Sequence, residues 1–152
     1  MNIKDKRYWI GLIGLGLILR IIFASFLYHS DLKNNYRHSK FLQEGWKAAY
    51  ELGAAQGTPL HYPPPIYLIT YVHEKVNQWM FSPYFDDWLN DGTNLQTQND
   101  KQVFRDLFAM KLPLMIADFI TLGILLLIVN PDERKLTAGL WLLNPVTLYA
   151  LY

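Results

Sequence analysis

The chain has 152 residues, 51% of them hydrophobic and 15% aromatic, with a formal net charge of +1 and no cysteine. That balance supplies no basic field for nucleic acid, and the missing thiols exclude disulfides and cysteine-based zinc sites. The averages fit a soluble domain as well as a membrane protein, so the distribution of apolar residues has to decide.

Residues 8–28 read YWIGLIGLGLILRIIFASFLY, with Arg20 as the only charge. At about 1.5 Å per residue such a run covers a hydrocarbon core about 30 Å thick, which predicts transmembrane helix 1. Lys4, Lys6 and Arg7 could serve as the basic region of a signal peptide, but FASFLYHS offers no small-residue cleavage site, so the segment reads as an uncleaved anchor.

Residues 29–103 form a long loop, assigned to the outer side. Tyr36, Leu42, Trp46, Ala49 and Tyr50 fall near one face of a helix predicted near 34–53, an amphipathic pattern that fits a membrane interface. Asp31 stands just before it. A carboxylate there can act as a general base for an acceptor hydroxyl, or as the N-cap of the helix that follows.

The segment HYPPPIY is stiff, because each proline fixes φ and disfavours helix in the residue before it, so helix is expected only after Pro65. This turn is placed to hold His61 and Tyr62 against a substrate or against the Asp31 carboxylate. A second interfacial or re-entrant helix is predicted near 66–81, too short and too broken by HEKVNQ to span. SPYFDDWLNDGTNLQTQNDKQ reads as a polar surface loop. With Gly92 at the sixth position of a calcium loop, the third and twelfth positions would be Leu89 and Gln98, so it is no metal site.

Transmembrane helix 2 is predicted at 104–129 with one deep charge, Asp118, followed by a short cytoplasmic link at 130–135 and transmembrane helix 3 at 136–152. Asn144-Pro145 should kink or open that third helix. The positive-inside rule puts the amino terminus and the link, with Arg134 and Lys135, in the cytoplasm, and the loop outside the cell membrane. Arg20 and Asp118 lie at similar depth in antiparallel helices and are expected to form a structural ion pair, for which exchanging the two residues should rescue a single-mutant defect. Lys111, at the outer end of helix 2, could meet a substrate lipid phosphate, or snorkel to ordinary headgroups, the commoner case. The fold class expected is an all-α polytopic membrane protein with three spans and a long outer loop.

The motifs LILRIIF, SDLKNNYRHSKFLQEG, HYPPPIYLI, MKLPLMIADFI and ERKLTAGLWLLNPV, in that order, resemble the C-fold (GT-C) glycosyltransferases. The nearest subgroup is the bacterial and archaeal relatives of the glycolipid-anchor mannosyltransferases. The resemblance implies inverting transfer of a hexose from a polyprenyl- or dolichyl-phosphate sugar, with Asp31 as the catalytic base. Tyr36, Arg37, His61, Tyr62, Pro63 and Lys111 would bind substrate, and no cofactor is implied beyond the lipid-linked sugar, the metal requirement staying open. Family members have many more spans, which implies a fragment of a longer product, or half of a split enzyme, inactive alone and completed by further segments or a partner subunit. The competing reading is a small non-catalytic membrane subunit in which Asp31 caps a helix.

Overall fold

A computed structural model describes residues 3–55, 62–90 and 101–151. Among these every regular element is helical: α1 (Ile3–Phe26), α2 (Ser30–Ser39), a 3₁₀ turn (Lys40–Glu44), α3 (Trp46–Ala55), α4 (Pro64–Val76), a second 3₁₀ turn (Gln78–Met80), α5 (Phe85–Asn90), α6 (Lys101–Ile128), a third 3₁₀ turn (Pro131–Glu133), α7 (Arg134–Leu142) and α8 (Pro145–Leu151). The chain divides into two compact units, one of residues 1–27 with 111–152, the other of residues 28–110.

Among the described residues two helices are long and apolar enough to cross a membrane: Asp5–Phe26 within α1 and Gln102–Ile128 within α6. The core helix of a soluble protein would be mostly buried, whereas 17% and 22% of these two apolar windows are buried. Ile10, Ile18, Ile120 and Leu127 instead face outward.

In the first unit α1 and α6 run antiparallel. Lys111 reaches the carbonyls of Ala24 and Leu27, Arg20 meets Asp118, and Trp9 and Leu12 pack with Leu126 around buried Leu122, Ala138 and Leu142. At the opposite end Lys135 pairs with Asp5, and the Tyr8 hydroxyl donates to the Lys135 carbonyl at 3.4 Å. The basic residues at the start of α1 and of α7 therefore share one end of this unit.

The expected third span is not one helix. α7 stops at Leu142 and α8 starts at Pro145, because Pro145 has no N–H to give the Trp141 carbonyl. The side chain of Asn144 takes over the start of α8, accepting the Val146 N–H at 2.9 Å. The buried Arg20 guanidinium meets the carbonyls that the break exposes, donating to Leu142 at 2.9 Å and to Trp141 at 3.4 Å, as well as to Gly16 at 3.2 Å. Trp141 donates its indole N–H to the other Asp118 oxygen at 2.8 Å. Gly16 makes the crossing close: a Cβ there would lie 2.8 Å from Leu142 Cδ2.

The second unit is built around Tyr36, Phe81, Phe85, Trp88, Leu89, Leu107 and Met110. Three expectations change here. The helix near 34–53 is broken, since Gly45 at φ 92° lies in a region costly for other residues and separates the 3₁₀ turn from α3. The helix near 66–81 begins earlier, at Pro64. Pro63 occupies its cap position and Pro64 and Pro65 its first turn, where no N–H is needed. The segment read as a polar surface loop contains α5, which buries Phe85, Trp88 and Leu89 in the core, while residues 91–100 lie outside the described residues. The period of Phe85-x-x-Trp88-Leu89 is helical, but six residues are too few to show against the aspartates and asparagines around them.

Lys40 binds the unit together, pairing with Glu74 of α4 at 3.3 Å and with Asp86 of α5. Asp106 of α6 accepts both the Ser82 backbone N–H and the Ser82 hydroxyl at 2.6 Å, fixing the entry to α5.

Candidate functional site

Asp31 is the second residue of α2, and it does not cap the helix. His29, in extended conformation at φ −132° and ψ 128°, takes that position, and its Nδ1 accepts the Asp31 backbone N–H at 3.3 Å. The Asp31 carboxylate is thereby released from backbone duty, with 49% of the side chain exposed at the positive end of a helix dipole.

The Tyr62 hydroxyl donates to Asp31 Oδ2 at 2.8 Å. Its position follows from the proline turn. Pro63 fixes the chain at φ −57° and ψ 146°, Pro64 and Pro65 start α4, and the Tyr62 N–H donates to the hydroxyl of buried Tyr67 at 3.1 Å. Donation to the carboxylate holds the Tyr62 phenol above its ordinary value near 10, so it stays protonated as a donor. Asp31 Oδ1 has no hydrogen-bond partner among the described residues. His29 Nδ1, which accepts the Asp31 backbone N–H, lies 3.7 Å from Oδ2.

The remaining expected site residues separate. His61 lies outside the described residues. Pro63 is exposed beside Tyr62 and shapes the turn. Tyr36 is corrected to a core residue: it is fully buried against Phe81 and Phe85, and its hydroxyl donates to the Met110 carbonyl at 2.8 Å. Burial and the charge of Glu74 push its phenol far above the ordinary value, so it too stays a donor.

Arg37 is half-buried and its Nε has no hydrogen-bond partner among the described residues, and nothing joins it to Asp31. Lys111, expected to meet a lipid phosphate, is instead buried against backbone carbonyls. At 2% exposure its ammonium sits on the carbonyls of Ala24 and Leu27, at the negative end of α1. Arg20 and Asp118 form their ion pair.

Two participants escape sequence reasoning. His29 is not among the usual capping residues, and its neighbours Ser30 and Asp31 are, which hides it. Tyr67 is five residues past Tyr62 on an apolar run and reads as core; the signal for it is only the paired tyrosines that bracket the prolines. Among the described residues no three His, Asp or Glu side chains converge to hold a metal ion.

No protein-family model, no curated protein and no solved structure matches the chain.

Proposed function

We propose that the chain is an integral membrane protein and part of a C-fold glycosyltransferase, with Asp31 as the general base for transfer of a hexosyl group from a polyprenyl-phosphate sugar to an acceptor hydroxyl. The observation that carries this reading is the Asp31 carboxylate. It is free of helix capping, half-exposed, oriented through one oxygen by Tyr62 and without a hydrogen-bond partner among the described residues at the other.

In the proposed step the acceptor hydroxyl approaches Oδ1 and loses its proton to it while its oxygen bonds to the anomeric carbon. The bond from that carbon to the phosphate oxygen breaks on the opposite face, and the lipid phosphate leaves with the electron pair. Configuration inverts. Tyr62 keeps the carboxylate from rotating away, a positioning role of the kind that catalysis by orientation requires.

Three spans are proposed for the whole: α1, α6, and the broken α7–α8 helix. A discontinuous span is compatible with a bilayer where its freed carbonyls are met by protein, as Arg20 meets those of Trp141 and Leu142. The shared end of Asp5, Tyr8 and Lys135 supports a cytoplasmic amino terminus and link, and with them an extracytoplasmic Asp31.

The test is direct. The native gene product, in its own membranes, is supplied with radiolabelled polyprenyl-phosphate mannose and other hexose donors. Label moving to an acceptor hydroxyl with inverted configuration supports the reading. No transfer from any polyprenyl-phosphate hexose contradicts it and leaves the non-catalytic subunit as the better account.

A further inference from the structure

Helix α4 has its polarity reversed. The side packed into the second unit carries Tyr67, Thr70, His73 and Glu74, all buried, and the opposite side presents Leu68, Ile69, Val72 and Val76 to the outside. At 100° per residue those four span an arc of about 100°, the breadth of a face that normally points into a core. Here it points away from one. Val76 is 69% exposed, and Trp79, in the 3₁₀ turn that prolongs the helix, is 74% exposed.

The margins of this stripe are cationic and aromatic. Lys75 lies beside it with its ammonium 5.6 Å from the centre of the Tyr71 ring. Arg105 of α6 donates to the carbonyls of Met80, at 2.6 Å, and Trp79, so a guanidinium fixes the turn that exposes the indole. An apolar arc edged by tryptophan, tyrosine and cations is what the boundary between acyl chains and headgroups selects.

Chain continuity names the occupant. Only residues 27–29 separate α1 from α2, about 10 Å of chain, and α6 passes without interruption from core residues of the second unit, Leu107 and Met110, into its apolar run. The second unit is thus joined to both apolar runs by short or continuous chain.

We propose that the outward face of α4, from Leu68 to Trp79, docks into the interfacial layer of a lipid bilayer and so sets the height of the Asp31–Tyr62 pair at the membrane surface, since α4 follows directly from Tyr62 and Pro63. This rests on the membrane reading above but not on the transfer chemistry.

The chain has no cysteine, so single-cysteine variants of the full protein carry a nitroxide label without further changes. Val72→Cys and Val76→Cys report the stripe, Ile18→Cys the outward face of α1, and Glu51→Cys on α3 a water-facing control. All are exposed or nearly so, and tolerate the label. The protein is placed in nanodiscs of phosphatidylcholine and phosphatidylglycerol, and relaxation by oxygen is compared with relaxation by a water-soluble nickel chelate. The expected result is that oxygen dominates at positions 72 and 76, at a shallower depth than at position 18, while the chelate dominates at position 51. Chelate access at 72 and 76 with oxygen dominating at 18 overturns the docking and leaves the membrane reading standing. Exclusion of both reagents from 72 and 76 shows a protein cover and also overturns it. Chelate access at 18 removes the membrane reading, and the docking with it.

Discussion

At the residue scale, the decisive feature is a division of labour between neighbours: His29 caps α2, and Asp31, free of that task, meets Tyr62. Asp31→Asn should leave the fold intact, because the cap does not depend on it, and should return the Tyr62 phenol toward its ordinary value; carbon-13 NMR of labelled tyrosine rings reads the change. His73 carries a different prediction. It is buried among Tyr36 and Phe81, both ring nitrogens lack a partner among the described residues, and burial holds its imidazole below the ordinary value near 6.5. The unfolded chain therefore takes up the proton first. Stability is full above the unfolded value and is lost as the pH falls through the folded one, so a decline is expected from about pH 7 downward. Glu74 acts in the opposite sense. Its carboxyl is raised by burial, partly offset by Lys40, and acidification through its folded value relieves a penalty. Denaturation of His73→Phe across the same pH range should show the acid-side decline flattened; an unchanged slope would assign it elsewhere. From sequence Asp31 and the Tyr62 turn were legible because carboxylates and prolines announce themselves. Tyr36 was misplaced because a tyrosine on an amphipathic helix looks the same whether its hydroxyl serves a substrate or a buried carbonyl.

At the element scale, the broken helix α7–α8 and the ion pair beneath it form one device. Depth counting from the ends of the apolar runs led to the pairing of Arg20 with Asp118, but not to the two carbonyls of α7 that the guanidinium also holds, because backbone acceptors are invisible in a sequence. The consequence is a reversal of the exchange expectation. Arg20→Asp combined with Asp118→Arg restores opposite charges yet sets a carboxylate against the carbonyls of Trp141 and Leu142, so it should fail to rescue. Arg20→Met alone, which leaves Asp118 buried without its ion-pair partner, should cost about 3–5 kcal/mol in a reversible unfolding assay. Gly16 adds a sharper contrast. Gly16→Ala pushes a methyl group into Leu142 and should destabilise by about 1–3 kcal/mol, whereas Gly14→Ala, with open space around it, should be neutral or better. Equal effects at the two glycines would contradict the close crossing of α1 and α7.

At the scale of the whole molecule, the all-helical class and the two long apolar helices were legible because an unbroken run of about twenty apolar residues has few other uses. The interior of the 29–103 segment was not, since its helices are held by Lys40, Glu74 and Asp86 and by a six-residue α5, contacts between residues far apart in the chain. The proposed topology makes its own prediction: a reporter fused at Lys135 should be found on the cytoplasmic side, together with the amino terminus, and an external reporter would reverse the placement of Asp31. Asp31 as the base is tested most directly by the rate of hexose transfer from a polyprenyl-phosphate sugar by the native membrane product carrying Asp31→Asn, compared with the unmodified protein and with Tyr62→Phe. A loss of about 10²–10⁴-fold is expected for Asp31→Asn at unchanged abundance and helix content, with a smaller loss for Tyr62→Phe. Transfer at the unmodified rate by Asp31→Asn would remove Asp31 from the reaction.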